Sequence, residues 1–362
     1  MRIAHVTDVY LPRLGGIELQ VHDLARRQQV AGHETFVVTT TAGDVGDVPV
    51  RRLAPGGLRT GPYRSVPPGQ LRPALDADAV HVHLSAFSPL AWSAARLAAT
   101  TRIPTVVSVH SMWHDILPLV RGYARWQRAG EWPVTWAAVS TVAAAAVREA
   151  LDGTPVSVLP NGIEPSEWLG PPAKAEIPTL ISVMRMVRRK RPRALLRTLL
   201  ALRAARGGGF RIVLVGDGPL LAALRRDVAR AGADADVRLT GGLDRDAIRS
   251  LLARADLYLA PAPRESFGIA ALEARSAGLP VLAWAGSGVG DFIRHGLEGW
   301  LVGSDAELFS TVAGLLDSPE RLTAVARHNR QVAPSVHWDA VLATANDLYE
   351  RAGVMLAAVA VS

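Results

Sequence analysis

Cysteine is absent from the 362-residue chain, which excludes disulfides, thiolate metal ligands and cysteine nucleophiles. Long apolar runs are absent too, because the longest candidates fall short of the roughly 18 residues that a membrane span needs. The opening stretch MRIAHVTDVY predicts a strand at once and holds no signal-peptide core. We therefore expect a cytoplasmic protein.

Lysine is nearly absent as well, since Lys174 and Lys190 are the only two lysines among 40 basic residues. The net charge is +7, and no acidic residue lies between Ile177 and Gly216. Nucleic acid is not an expected partner, because no recognition motif accompanies this charge. Peripheral contact with an anionic membrane surface at its inner face stays open.

Apolar strands alternate with helical segments along the whole chain. Such alternation is typical of parallel sheets covered by helices on both faces. The proline-rich segment from Glu164 to Pro178 interrupts the series and predicts a linker. The sequence thus predicts an α/β protein of two doubly wound, Rossmann-like domains, residues 1–165 and 166–336, with the ligand site in the cleft between them.

The stretch RESFGIAALEA holds two glutamates, Glu265 and Glu273, around a predicted helix start. Free backbone N–H groups at Gly268 and Ile269 would attract a phosphate, and a glycine lets it come close. Glu273 would lie about 7.5 Å further along the axis, roughly the step from a diphosphate to its ribose. An arginine-paired structural carboxylate is the alternative for Glu273, and a solvated loop residue or helix cap for Glu265.

Neither Gly-rich turn matches a dinucleotide fingerprint or a P-loop, since Leu221 ends GDGPLL where a third glycine belongs. Two histidines, His81 and His83, share one strand face, and one of them could reach the cleft. They have no partner cluster in the sequence, so no metal site is predicted.

The glutamate pair resembles the signature of the retaining family 4 glycosyltransferases (glycosyl transferases group 1), which have the GT-B fold. The similarity runs in order through TDVYLPRLGGIE, VHVH, SVHS, PNGIE, RMVRRK, VGDGP, VRLTG and GVGDFIRHGLEGWLV. Three residues depart from the common family pattern, namely Met184, Trp284 and Asp291. The resemblance implies that residues 337–362 form a helix crossing back onto the N-terminal, acceptor-side domain.

The resemblance also implies the roles of the site residues. Glu265, His110, Arg185 and Lys190 are the expected catalytic residues. The donor nucleotide sugar is expected to contact Gly15, Gly16, Arg185, Lys190, Arg238, Leu239, Glu265, Phe267, Gly268, Ile269 and Glu273, with the backbone around Arg238 and Leu239 reading the base.

The implied reaction moves a hexosyl residue from a UDP- or GDP-sugar to an acceptor hydroxyl with retention of configuration. No metal or other cofactor is expected, because protein cations neutralise the diphosphate. The acceptor is either a small molecule or lipid-linked. A sugar-nucleotide epimerase of the same fold and a non-catalytic sugar-nucleotide-binding subunit are the alternatives.

Overall fold

The computed structural model describes residues 1–13, 15–43, 46–54, 66–171, 173 and 176–361. Lys174 lies outside these residues. The chain forms two compact units: unit 1 contains Met1–Gly162 and Trp338–Ser362, and unit 2 contains Ile163–His337. The sequence predicts these divisions after residues 165 and 336.

Unit 1 contains a seven-stranded parallel sheet in the order β3-β2-β1-β4-β5-β6-β7. The strands are β1 (Arg2–Thr7), β2 (Glu34–Thr39), β3 (Val50–Arg52), β4 (Ala79–Leu84), β5 (Thr105–Val109), β6 (Thr135–Ala138) and β7 (Val156–Val158). Its first helices are α1 (Gly16–Val30), α2 (Pro68–Ala74), α3 (Pro89–Thr101), α4 (Leu117–Gln127) and α5 (Thr141–Ala150).

Unit 2 contains a six-stranded parallel sheet in the order β10-β9-β8-β11-β12-β13. The strands are β8 (Thr179–Val183), β9 (Arg211–Val215), β10 (Val237–Gly241), β11 (Leu257–Ala260), β12 (Val281–Trp284) and β13 (Gly299–Val302). The helices are α6 (Pro165–Trp168), α7 (Pro192–Arg206), α8 (Leu221–Arg230), α9 (Arg245–Leu252), α10 (Ile269–Ser276), α11 (Asp305–Asp317) and α12 (Pro319–Gln331).

The last helix, α13 (Trp338–Val361), packs within unit 1. Its buried side chains recur at helical spacing, so one face joins the core of the sheet. That face comprises Trp338, Val341, Ala345, Leu348, Tyr349 and Ala352, which pack in one cluster with Ile3 and Val106. Within the described part of the chain, no helix combines the length and apolarity needed to cross a membrane.

Both sheets reverse their strand order at one point, between β1 and β4 in unit 1 and between β8 and β11 in unit 2. Ligands of open parallel sheets bind beyond the carboxyl ends of the strands at such a point. The loops that follow these four strands are therefore the places where a site is expected.

The segment predicted as a linker is only partly irregular, which corrects that prediction. Helix α6 lies within it, and Trp168 at its end is almost fully buried. The Arg245 guanidinium stacks 4.9 Å from the Trp168 ring, and Arg330 donates to the carbonyl of Gly170. This part of the segment is thus anchored to unit 2, because the tryptophan needs a place in the core.

Candidate functional site

The loop after β8 carries Arg185 and is held from behind by two glycines. A Cβ on Gly216 would lie 1.9 Å from the Met184 carbonyl oxygen, and one on Gly218 would lie 2.7 Å from that of Met186. Backbone hydrogen bonds join the same segments. The GDG motif therefore fixes this loop and leaves Arg185 exposed, without an ion pair to any described residue.

The loop after β11 leads into α10, whose N-terminus has no side-chain cap and no acidic residue in its first turn. Gly268 precedes the helix with φ +94°, a conformation that favours glycine. The first N–H groups to bond backward are those of Ala271 and Leu272, both to the Gly268 carbonyl. The N–H groups before them have no partner in the helix, which makes this end attractive to an anion.

Lys190 and Glu265 bring the two loops together. The Lys190 ammonium donates a hydrogen bond to the Glu265 carboxylate, and both side chains are mostly buried, at 18% and 16% exposed. Lys190, predicted to bind the phosphate, and Glu265, predicted to contact the sugar, are thus neighbours. They form an ion pair beside the uncapped end of α10.

Glu273 lies on α10 among apolar residues and is partly buried. No hydrogen bond or ion pair joins its carboxylate to the described residues, so the alternative of an arginine-paired structural carboxylate is not what the structure contains. Burial raises the pKa of Glu273 to about 7, and the more distant charge of Arg245 opposes that shift. A carboxylate in such a place needs hydrogen-bond donors from elsewhere.

Phe267 differs from its neighbours in the motif, because its ring is almost fully buried and packs 5.2 Å from that of Phe292. Only its backbone can therefore face a ligand. Ile269, the first residue of α10, is partly buried.

Two residues outside the predicted site support the Lys190 turn. Arg191 stacks 5.1 Å from the ring of Trp284 and donates to Asp305 at 2.6 Å. Trp284 is one of the departures from the common family pattern, and in this chain it serves as the platform for that arginine. The contact holds the segment that ends in Lys190.

Arg238 and Leu239 lie in β10, at the far edge of the sheet from the loops just described. The Arg238 side chain lines a separate cavity of about 520 Å³ with Arg211, Asp234 and Arg254, near the amino ends of the strands. Leu239 packs against the core. The structure does not bring the Arg238 side chain to Lys190, and the role of this backbone in reading a base stays a prediction.

In unit 1, Gly15 and Gly16 open helix α1, which has no side-chain cap. A Cβ on Gly15 would lie 2.4 Å from a carboxylate oxygen of Glu18, which also pairs with Arg13. A side chain at Gly15 would therefore have to displace the Glu18 carboxylate, the far end of a flexible side chain. Leu14 lies outside the described residues.

The N-terminus of α3, next to the strand reversal of unit 1, is already occupied. The Asp8 carboxylate accepts hydrogen bonds from the N–H groups of Leu90 and Ala91 at 3.0 and 3.1 Å. Burial raises the pKa of Asp8 to about 7. This helix end is thus satisfied by the protein itself.

His110 follows β5 and bonds to His83 at 3.0 Å. The statement that His81 and His83 have no partner cluster is wrong, because β1 pairs with β4 and sets His5 opposite His81. One nitrogen from each of His5, His81 and His83 lies within 4.8 Å of the others. All six ring nitrogens of these three residues already have hydrogen-bond partners, so the geometry favours a polar network over a metal centre.

Two family models divide the chain between them. The model described as Glycosyltransferase Family 4 matches residues 14–167, and the one described as Glycosyl transferases group 1 matches residues 171–332. The chain belongs to the family 4 glycosyltransferases. Its enzyme class, predicted from the sequence, is confirmed by the same matches.

Relatives matched over most of their length support this family assignment. A GDP-mannose-dependent alpha-(1-6)-phosphatidylinositol monomannoside mannosyltransferase of Mycobacterium tuberculosis is 28% identical over 96% of this chain and 97% of the relative. A 2-deoxystreptamine glucosyltransferase of Streptomyces kanamyceticus is 28% identical over 78% of this chain and 79% of the relative.

The fold of the glycosyltransferase also matches solved structures. The Anabaena protein HepE, crystallised with UDP and glucose, superposes with a TM-score of 0.78 at 17% identity, covering 97% of this chain and 99% of the other. The predicted GT-B fold class is therefore confirmed.

Proposed function

We propose that this glycosyltransferase moves a hexosyl residue from a UDP- or GDP-sugar to an acceptor hydroxyl, with retention of anomeric configuration. The relatives support a nucleotide-sugar donor, since one is named as GDP-mannose-dependent and another as a glucosyltransferase. The observation that carries the proposal is Glu273, a carboxylate without a hydrogen-bond or ion-pair partner among the described residues, set along the helix from an uncapped N-terminus.

The donor is held along α10 in this proposal. The diphosphate binds the N–H groups at Gly268 and Ile269, and Arg185 and Lys190 balance its charge. Glu273 accepts hydrogen bonds from the two ribose hydroxyls, which supply the donors that its carboxylate lacks. Glu265 faces the other side of the phosphate and contacts the transferred sugar.

The chemistry breaks the bond between the anomeric carbon and the phosphate oxygen. Positive charge develops on the sugar while negative charge grows on the leaving diphosphate. Arg185, Lys190 and the helix N-terminus aim positive potential at that growing charge, which lowers the barrier. The acceptor oxygen attacks from the face that the phosphate leaves and gives its proton to the departing phosphate. His110, a residue of unit 1, is proposed to contact the transferred sugar.

Product analysis tests this proposal. Purified enzyme is incubated with ¹³C-labelled GDP-mannose, UDP-glucose or UDP-N-acetylglucosamine and with inositol lipids, polyprenyl phosphates or aminocyclitols. NMR of the product gives the anomeric configuration. Transfer with the donor's own configuration is expected, in the presence or absence of EDTA. A C2-epimerised donor would indicate an epimerase, and donor binding without turnover would indicate a silent subunit.

The acceptor side has one further feature, an exposed apolar stripe on α4. Leu119 and Trp126 are 76% and 74% exposed, and Tyr123 lies between them on the same helix face. Arg121 and Arg125, on another flank of the helix, are bonded to Asp152. We propose that this stripe meets the membrane surface that presents a lipid-linked acceptor, because exposed aromatic and aliphatic side chains insert at lipid headgroups.

Sedimentation with vesicles tests the membrane contact. The wild type is expected to sediment with vesicles that contain phosphatidylinositol, and the double variant Leu119→Ser, Trp126→Ser is expected to remain in solution. An exposed apolar residue on α1, Val30, serves as a matched control through Val30→Ser. Equal sedimentation of the wild type and both variants would contradict the proposed contact between the apolar stripe on α4 and the membrane.

A further inference from the structure

A continuous chain of hydrogen bonds runs through the core of unit 1 and ends at His110. It passes from one histidine to the next and then through an amide and a phenol. The links are His110 Nε2 to His83 Nδ1 (3.0 Å), His83 Nε2 to His5 Nδ1 (3.1 Å), His5 Nε2 to Gln28 Oε1 (2.7 Å), Gln28 Nε2 to Tyr349 Oη (3.0 Å), Tyr349 Oη to His81 Nδ1 (2.8 Å) and His81 Nε2 to Ser108 Oγ (2.8 Å).

The sheet register builds this chain. Parallel pairing sets His5 opposite His81, and His83 opposite Ser108, so four polar side chains lie on one face of three neighbouring strands. Gln28 from α1 and Tyr349 from α13 join them. His5, His81, Gln28 and Ser108 are at most 1% exposed, so each polar atom depends on its protein partner.

Burial lowers the pKa of all four histidines, to about 4 for His5 and His110 and well below the ordinary value for His81 and His83. Each ring is therefore neutral, with one N–H and one lone pair. A ring that receives a hydrogen bond on one nitrogen must donate from the other. The tautomer of each histidine is thus tied to that of its neighbour.

Following the links gives two self-consistent arrangements. When the Gln28 carbonyl faces His5, all four histidines carry the proton on Nε2. When the amide is reversed, all four carry it on Nδ1. Any mixture among His5, His83 and His110 leaves a buried pair with two donors or two acceptors. A mismatch at His81 leaves such a pair or a Tyr349 hydroxyl without an acceptor, and either is costly in the core.

We propose that His83, His5, Gln28 and Tyr349 form a relay that sets the tautomer of His110 and acts as its positioning network. His110 also hydrogen-bonds to the Asn161 side chain. The relay decides whether Nδ1 of His110, the nitrogen turned away from His83, carries a lone pair or a proton. The C-terminal helix contributes to the site through Tyr349, although Tyr349 itself is buried. The kinetic part of this inference rests on the proposed contact of His110 with the transferred sugar.

Long-range ¹H–¹⁵N NMR on protein labelled at its histidines tests the relay without any turnover. Loss of single signals in histidine variants assigns the rings. His5, His81, His83 and His110 are all expected to be neutral and to share one tautomer in the wild type. Mixed tautomers, or a protonated His110 at pH 7, would overturn the proposal.

The variant Tyr349→Phe tests whether the coupling reaches His110. It removes one hydroxyl and keeps the ring, and the ¹⁵N shifts of His110 are expected to move although four hydrogen bonds separate the two residues. The control Thr35→Val removes a buried hydroxyl of unit 1 that bonds to Ala25 and lies outside the relay. His110 shifts that stay unchanged in both variants would contradict the coupling.

Kinetics separate this inference from the proposed function. Tyr349→Phe is expected to lower kcat roughly tenfold with little change in the donor KM, as outer partners of a site residue do. Full activity of His110→Ala would remove the sugar contact of His110 and leave the shared tautomer standing. Full activity of Tyr349→Phe alongside an inactive His110→Ala would remove the positioning role of the relay.

Discussion

Lys190 and Glu265 form an ion pair between the loop after β8 and the loop that opens α10. Each is predicted to contact the donor, and in the structure each is the other's partner. Because both are mostly buried, removing one leaves the other without its partner. The pair therefore holds the loop after β8 against the loop that opens α10.

Lys190→Ala should weaken nucleoside diphosphate binding about 10- to 100-fold, since it removes a charge-assisted hydrogen bond worth about 1.5–3 kcal/mol. Isothermal titration with UDP and GDP measures the change. Arg189→Ala, an exposed neighbour in the same turn, is the control and should bind normally. Equal losses in the two variants would mean that only the net positive charge matters.

Gly288→Ala should disrupt the Glu265 loop. The new Cβ would lie 2.2 Å from the Ser266 carbonyl oxygen, and the Gly288 N–H bonds to the Glu265 carbonyl. We expect about 1–3 kcal/mol of destabilisation together with weaker donor binding. Gly286→Ala, two residues away with no atom within 4 Å of its Cβ, should be neutral in thermal melts and titrations. A neutral Gly288→Ala would show that the loop position is not fixed.

Nucleoside affinity should depend on pH through Glu273. Its pKa is raised to about 7 in the free protein, and hydrogen bonds from a ribose favour the ionised form. Binding therefore releases a proton, and affinity for uridine or guanosine should rise with pH up to about 7 and then level off. Nucleosides are used here because they carry no phosphate group that would titrate in the same pH range. Glu273→Gln should bind weakly and without this pH dependence; a similar slope in the variant would assign the effect to another group.

The Glu273 carboxylate should also lower the free energy of unfolding at pH values above its ordinary pKa. The folded protein keeps the proton of Glu273 up to about pH 7, whereas the unfolded chain loses it near 4.5, so stability falls as pH rises through that window. Glu273→Gln should stabilise the protein by about 1–2 kcal/mol at pH 8 and hardly at all at pH 4.5, less than the full shift because the side chain is partly exposed. Denaturant melts of Glu320→Gln, an exposed site on α12, provide the baseline.

The sequence predicts the two parallel sheets and the start of α10 because these depend on local patterns of apolar residues and glycines. The histidine network was missed, since it depends on which strands are neighbours. The signal was nonetheless there: His5, His81 and His83 all lie in apolar strands, and an order that places β1 beside β4 brings them together.

The misread linker has a different cause. The prolines between Glu164 and Pro178 indicate a break in regular structure and conceal Trp168, whose ring packs against a distant arginine. Phe267 shows a related limit of prediction from sequence. It belongs to the motif, but its ring faces the core, so only its backbone can face a ligand. Side-chain direction at such positions is decided by packing and not by local sequence.

The central claim is that Glu273 and Glu265 serve opposite ends of one donor. Titration of nucleoside diphosphate into Glu273→Ala and Glu265→Ala, with transfer rates for both, tests it most directly. Glu273→Ala should lose nucleoside diphosphate affinity, whereas Glu265→Ala should keep it and lose transfer by about 30- to 1,000-fold, the range for a group that stabilises transition-state charge by about 2–4 kcal/mol. Loss of diphosphate affinity in Glu265→Ala as severe as in Glu273→Ala, with its transfer rate intact, would contradict the account.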